Sequence, residues 1–239
     1  MAVLDRLLYA GRDLMYRRLY DVLGRHVRGS VLDVGGGRFV TSAPAARLNF
    51  SRWTVVEPLP ELLPTAVERP DVDLVVADGQ HLPLADDSYD TVLSIQVLEH
   101  VFEPMRMLEE LYRVVRPGGV VVLMVPQTAN IHLAPHHYQN FTRYWLDESA
   151  RRLGAEVVEQ HVLGGAWSSI ASRLVMQYPA AFGVRGFRHE GSRRSPLFWV
   201  LLPFGMLVSA AMVPVTMLLG LADLEEEPNN HLVVLRKRS

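Results

Sequence analysis

The stretch that decides the fold reads Ser30-Val31-Leu32-Asp33-Val34-Gly35-Gly36-Gly37-Arg38-Phe39. Its first half predicts a short buried strand that contains Asp33, and three glycines follow directly. Glycine tolerates positive φ and has no side chain, so the backbone can turn tightly and a ligand can approach it closely. A carboxylate two residues before the first glycine suits a ligand that is positively charged at this point, whereas it repels a pyrophosphate.

The spacing of this turn separates two classes of nucleotide-binding protein. Dinucleotide-binding turns have the spacing G-x-G-x-x-G, whereas this chain has Asp-x-Gly-x-Gly. The stretch resembles the first motif of the class I S-adenosylmethionine-dependent methyltransferases, and S-adenosylmethionine carries an ammonium, a sulfonium and no phosphate. The resemblance implies that Asp33 anchors the loop and the cofactor, and that Gly35, Gly36 and Gly37 lie against its methionine part. The family has another glycine where this chain has Phe39, so the loop must widen or place that ring against the core.

Composition narrows the class of protein further. The 239 residues suit one domain with an appended element, and a formal net charge of −2 gives no reason to expect a nucleic-acid partner. The absence of cysteine excludes disulfides and thiolate metal sites. Charges are scattered through the first turns, which is unlike a signal peptide, so we expect a cytoplasmic protein.

Two acidic residues follow the next predicted strands. Glu57, before Pro58, ends the second strand about twenty residues after the glycines, where a carboxylate suits the ribose hydroxyls of an adenosine. The run from Asp78 to Asp90 resembles the family's D-A-x-x-L-P-F-x-D-x-S-F-D segment. This resemblance implies that Asp78 binds the adenine amino group, with Gly79 and Gln80 at the adenine edge.

The end of the fourth predicted strand, Thr91 to Ile95, supplies further candidates. The resemblance places Gln96 and Leu98 beside the methionine part of the cofactor. His100 is a candidate base, and a structural role as a hydrogen-bonding residue is an equally good interpretation. A helix is predicted from Pro104, and residues 116–119 are predicted to turn into a fifth strand over 120–125.

Residues 126–142 form a loop rich in aromatic and histidine rings after the fifth strand, where open α/β sheets bind substrates. His136 and His137 are the first candidates for a catalytic base. They are adjacent and should point apart, so we expect no metal site. Residues 135–142 resemble the H-x-Y-x-x-F-T stretch of methyltransferases of surface-glycan and lipid-linked pathways. Thr142 is predicted to cap a helix that ends at Gly154.

Two segments lie outside this pattern. Residues 3–27 have the period of an amphipathic helix, which packs on the sheet or lies on a membrane. Residues 197–222 contain no charged residue, and this apolar segment is long enough to cross a bilayer. A single crossing would separate the last strand from its sheet, and Pro203, Gly205 and Pro214 predict breaks, so a hairpin that dips into or lies in the bilayer fits better. A soluble lid or a homodimer interface is the other reading.

The sequence therefore predicts a Rossmann-like α/β fold with a seven-stranded sheet, six strands parallel and the last antiparallel between the fifth and sixth. The parts are an N-terminal helix (1–29), a methyltransferase domain (30–163 and 231–239) and an insertion (164–230) that holds the apolar segment 197–222. We expect O-methylation of a glycan, lipid-linked or other hydrophobic acceptor at the cytoplasmic membrane face, where the protein is peripheral or monotopic. The alternatives are methylation of a small soluble hydrophobic metabolite, a non-catalytic S-adenosylmethionine-binding membrane protein, and a nucleotide-binding dehydrogenase.

Overall fold

The computed structural model describes residues 16–42, 45–63, 69–182 and 194–239. Contacts divide the chain into two compact units. The first comprises Met1–Val125, Phe141–His161 and His231–Ser239, and the second comprises Pro126–Asn140 and Val162–Asn230.

Seven strands form one sheet in the order β3-β2-β1-β4-β5-β7-β6. Strands β1 to β5 pair in parallel. The pairing of β5 with β7 is antiparallel, because Gly118 N bonds Lys237 O and Lys237 N bonds Gly119 O. The predicted seven-stranded fold and the place of its last strand are thus confirmed. The strands are β1 Ser30–Val34, β2 Arg52–Glu57, β3 Val72–Val76, β4 Tyr89–Ile95, β5 Val115–Pro126, β6 Glu156–Leu163 and β7 Asn230–Arg236.

Among the described residues of the first unit there are three α-helices. Residues 16–26 are helical (α1), and Leu19, Val22 and Leu23 on its predicted apolar stripe are fully buried. The remainder of the predicted N-terminal helix, residues 1–15, lies outside the described residues. Helix α2, Pro104–Val114, has its proline in the first turn as predicted. Helix α3 spans Arg143–Leu153.

The predicted caps of α3 are both present. Thr142 Oγ1 accepts a hydrogen bond from Trp145 N at 3.4 Å, and Gly154 has φ of +64° in the left-handed region. A residue with a side chain is strained at this φ, so the glycine ends the helix at low cost.

The start of β5 differs from the prediction. The strand begins at Val115, directly after α2, rather than at Val120. Residues 116–119 are therefore part of the strand, and the pairing of β4 with β5 shifts register between Tyr89 and Thr91. Proline and glycine can be accommodated in a strand at such an irregularity, which sequence patterns read as a turn.

The second unit contains two long helices, α4 (Ala166–Ala181) and α5 (Pro196–Leu219). Pro203 and Pro214 lie inside α5, so the predicted breaks are wrong and the apolar segment is one helix followed by a short 3-10 turn. Tyr178 OH of α4 donates to Gly205 O of α5 at 2.8 Å, which holds the two helices together. By length and composition, residues Pro196–Ala222 could cross a membrane.

Candidate functional site

The glycine turn after β1 can be built only from glycine. Gly35 and Gly37 have φ of +75° and +49°. A Cβ on Gly35 would lie 2.4 Å from Val97 Cγ2, and a Cβ on Gly36 would lie 2.1 Å from Asp33 Oδ2. Both distances are far below van der Waals contact, so a side chain at either position would force the turn open. The turn thus has the bare backbone that close approach of a ligand requires.

Asp33 lies beneath this turn and is 1% exposed. Trp53 Nε1 donates to its Oδ2 at 3.3 Å. Burial raises the pKa of Asp33 to about 7, and the Trp53 hydrogen bond opposes that rise. A buried carboxylate with one neutral donor is poorly compensated, so a positive charge bound at the turn would stabilise its ionised form. The ligand-binding role of Asp33 remains a prediction.

Sequence reasoning missed Trp53. The register of β1 and β2 pairs Val31 with Trp53 and Asp33 with Val55. Side chains two residues apart share a face of the sheet, so the indole of Trp53 reaches Asp33 diagonally across the strand pair. The signal in the sequence was Trp53 itself, near the start of β2, the strand that pairs with β1 and its buried Asp33.

Phe39 adopts one of the two arrangements that the sequence left open. Its ring lies between those of Tyr20 and Trp53, with centroids 6.1 Å from each. The ring therefore packs against aromatic side chains of the first unit, where the family motif has a glycine.

Glu57 ends β2 and supports the same turn. Its Oε1 accepts a hydrogen bond from Gly37 N at 2.7 Å, and the residue is 5% exposed. Burial raises the pKa of Glu57, and the Gly37 amide opposes the rise. The carboxylate thus lies against the glycine turn, as a ribose-binding role requires, and it is followed by the exposed Pro58.

The Asp78 turn follows β3. Asp78 is exposed, and its carboxylate accepts from Gln80 N at 2.9 Å and from Gln80 Nε2. A Cβ on Gly79 would lie 2.9 Å from Val34 Cγ1, so this turn is packed closely against β1. The three predicted adenine-binding residues therefore form one compact turn beside the strand that precedes the glycines.

The residues after β4 divide into different roles. Gln96 has φ of +59°, and its amide donates to Met124 O at 2.8 Å. Leu98 is fully buried in the hydrophobic core, and its contact with the cofactor stays a prediction. Glu99 is also fully buried, and its carboxylate has no hydrogen-bond partner among the described residues. His100 Nε2 lies 3.9 Å from Glu99 Oε1.

The ring-rich loop belongs to the second unit. His136 Nδ1 lies 3.3 Å from Tyr138 OH, whereas His137 contacts Asn140 Oδ1 at 3.2 Å and His132 Nδ1 at 3.2 Å. The two adjacent rings thus have different partners. Burial lowers the pKa of His137, and the charge of His132 acts in the same direction. The lowered pKa favours the neutral imidazole, the form in which a histidine acts as a base.

Comparison with known proteins places these observations in a family context. Residues 32–123 match the family described as Methyltransferase domain. An uncharacterized methyltransferase from Mycobacteroides abscessus is 37% identical over 138 residues, which cover 54% of this chain and 51% of that protein. The demethylmenaquinone methyltransferase of Renibacterium salmoninarum is 34% identical over 122 residues, covering 51% and 52%. The chain spans about half the length of these curated relatives.

Solved structures with the same fold include a protein described as a methyltransferase from Bacillus halodurans. Its TM-score is 0.60 at 13% identity, with 93% of this chain and 98% of that chain covered. The phosphoethanolamine N-methyltransferase 2 of Haemonchus contortus, solved with S-adenosyl-L-methionine, has a TM-score of 0.55 at 15% identity and covers 90% and 50%.

The sheet order, the glycine turn and these matches define one class of protein. Over residues 32–123 the chain matches the methyltransferase domain family, and its fold is that of solved methyltransferases, one of which holds S-adenosyl-L-methionine. The site fits this cofactor, because a turn that admits no Cβ lies over a buried carboxylate and next to Glu57.

Proposed function

We propose that this protein transfers a methyl group from S-adenosylmethionine to an oxygen atom of a hydrophobic acceptor at the cytoplasmic face of a membrane. The acceptor is a glycan, a lipid-linked compound or another apolar molecule. The observation that carries the hydrophobic class of acceptor is α5, a 24-residue helix that exposes large apolar side chains.

The names of relatives agree with an apolar acceptor. The Renibacterium salmoninarum protein is named for demethylmenaquinone, a small hydrophobic substrate. Because that protein matches only half of this chain, it supports the class of acceptor and not its identity.

The residues of the first unit would bind the cofactor in three places. Asp33 and the glycine turn would hold its methionine part, Glu57 its ribose and Asp78 its adenine. When bound, S-adenosylmethionine supplies a methyl group that is already activated by the sulfonium. The chain then has to align the acceptor oxygen with that methyl group and exclude water.

A hydroxyl acceptor loses its proton during this transfer, so a base is useful. His136 and His137 are the first candidates, and His100 is the next. Burial lowers the pKa of His137 and so favours its neutral imidazole. Replacing both His136 and His137 by Asn should lower kcat with little change in cofactor affinity, and an unchanged kcat would dismiss them.

The decisive experiment is transfer of labelled methyl from S-adenosylmethionine to a lipid extract and, separately, to an aqueous extract. The proposal predicts a labelled product in the lipid extract. Its methyl group should survive the base treatment that hydrolyses methyl esters, as a methyl ether does. Label only in the aqueous extract would favour the rival function, methylation of a small soluble metabolite. Cofactor binding without label in either extract would favour a non-catalytic S-adenosylmethionine-binding protein.

A dehydrogenase is disfavoured by the position of Asp33, which would lie beneath the pyrophosphate of a dinucleotide. Calorimetric titration separates the two cofactors. We expect binding of S-adenosylmethionine and of its demethylated product, and no binding of a nicotinamide dinucleotide.

A further inference from the structure

The outer surface of α5 is apolar and exposed. Val200, Phe204, Leu207 and Leu218 are each at least 66% exposed, and residues 197–222 carry no charge. Helices that face water normally turn charged and polar residues outward and apolar ones inward. Helix α5 has the reverse arrangement.

The hydroxyl side chains of α5 are buried. Its two hydroxyl residues, Ser209 and Thr216, are 5% and 2% exposed. Ser209 Oγ lies 2.5 Å from Tyr178 OH, which also donates to Gly205 O. Thr216 Oγ1 donates to carbonyl oxygens of the preceding turn of α5. These polar groups are satisfied inside the helix pair, as a segment surrounded by lipid requires.

The extent of the exposed apolar surface of α5 favours lipid over a protein partner. At 100° per residue, the exposed positions of α5 cover roughly two thirds of its circumference. A protein partner covers one face of a helix and would leave the remainder in water, whereas lipid surrounds it. A helix of 24 residues is about 36 Å long, far more than the roughly 15 Å of hydrocarbon in one leaflet, so within one leaflet it must lie along the membrane plane.

The two ends of the helix pair lie close together. The start of α4 meets the chain that follows α5, because Asp223 accepts from Trp167 N at 2.7 Å and from Ser168 N at 2.9 Å. Since β6 precedes α4 and β7 follows α5 in one sheet, the chain must leave on the side where it entered.

We propose that α5, paired with α4, lies in the plane of an anionic lipid bilayer and is embedded in one of its leaflets. Arg185, Arg188, Arg193 and Arg194 precede α5 in the sequence, and such basic clusters favour anionic headgroups. This inference deepens the proposed function, because it names the surface on which the acceptor would be presented. Its test involves no catalysis, so the two can fail separately.

The test uses the full chain with vesicles of phosphatidylcholine and phosphatidylglycerol whose acyl chains are brominated. Bromine quenches tryptophan fluorescence at short range, and Trp199, 49% exposed on α5, is the reporter. We expect the protein to float with the vesicles and its fluorescence to be quenched. Trp199→Phe should remove most of that quenching, whereas the matched variant Trp145→Phe in α3 should retain it.

Charge variants test the same surface by flotation. Leu207→Glu places a charge at a position that is 71% exposed, so it should leave the fold intact and lower vesicle partitioning at least tenfold. The control Tyr144→Glu, at a position in α3 that is 81% exposed, should float like the natural chain. Circular dichroism checks that both variants are folded.

Two results would overturn the proposal. One is a folded chain that stays monomeric in buffer and does not float. The other is a stable dimer that forms without lipid and does not float, which would make a second copy the partner. Vesicle binding and quenching without methyl transfer would support this inference and contradict only the proposed function.

Discussion

At the scale of single residues, the most informative feature is the pair of buried carboxylates in the first unit. Burial raises the pKa of both Asp33 and Glu99 to about 7. Asp33 lies under the partly exposed glycine turn, whereas Glu99 has no hydrogen-bond partner among the described residues. The two groups should therefore respond differently to the cofactor.

Binding of S-adenosylmethionine should release protons from Asp33. A cation at the glycine turn stabilises the ionised carboxylate and lowers its pKa, so a group that is about half protonated at pH 7 loses up to about half a proton. Calorimetry in buffers of different ionisation enthalpy measures this release. Asp33→Asn should abolish it, and Glu99→Gln should retain it; the opposite pattern would show that the cation does not face Asp33.

Glu99 should make folding stability depend on pH. The folded chain holds this proton up to about pH 7, whereas the unfolded side chain releases it near 4.5. Stability therefore falls as pH rises from about 4.5 through 7, by on the order of 3 kcal/mol. Urea unfolding of the natural chain and of Glu99→Gln between pH 5 and 8 should give diverging curves. Because Asp33 titrates in both chains, their difference isolates Glu99, and parallel curves would refute the assignment.

At the scale of elements, Asp223 caps the start of α4 from the far end of the insertion. Its carboxylate accepts from Trp167 N, Ser168 N and Ser168 Oγ. Burial opposes ionisation, but the Ser168 hydrogen bonds outweigh it and the pKa of Asp223 is lowered. The first turn of α4 thus depends on a residue more than fifty positions later in the chain.

Removal of this cap should loosen the first turn of α4. Asp223→Ala should cost about 1–2 kcal/mol, because the amides of Trp167 and Ser168 lose their acceptor. Hydrogen exchange of those two amides measures the effect, which should be faster exchange by roughly tenfold. The exposed neighbour offers a control, Glu225→Ala, which should leave the exchange unchanged. Equal exchange in both variants would mean that the cap does not hold the helix.

The hydrogen bonds between α4 and α5 should also contribute measurably to the stability of the second unit. Tyr178→Phe deletes the hydroxyl that contacts Gly205 O and Ser209 Oγ, and we expect a loss of about 1 kcal/mol in the second unit. Exchange rates along α5 in detergent report it. A matched removal of a hydroxyl outside this contact, Tyr144→Phe, should have no effect there, and a similar change in both variants would count against the contact.

At the scale of the whole molecule, the two compact units should differ in their response to ligand. Saturation with the demethylated cofactor at about one hundred times its Kd should stabilise the cofactor-binding unit by about 2.7 kcal/mol. Hydrogen exchange should slow in β1, β2 and the glycine turn, and remain unchanged in α4 and α5. A nucleoside diphosphate serves as the control ligand and should protect nothing. Protection confined to α4 and α5 would place the cofactor elsewhere.

Much of the fold could be predicted because its signals are local. Most of the strands contain short runs of apolar residues, and their order follows from the family pattern. The cap residues Thr142 and Gly154 each act within one turn of α3, so their roles could be predicted from the local sequence. The proline residues of α5 misled the prediction because a helix tolerates them where its surroundings stabilise it.

The sequence by itself determined the strand that bears Asp33, the side-chain-free turn after it, the acidic residues that end β2 and β3, and an uncharged segment long enough to meet a bilayer. Only the tertiary structure decided that Trp53 is the partner of Asp33, that Leu98 belongs to the core, that the buried Glu99 carboxylate has no hydrogen-bond partner among the described residues, and that α5 turns its hydroxyls inward. The reason is physical: periodicity along the chain fixes which element forms, whereas the neighbours of a side chain depend on registers and packing between segments that are distant in sequence.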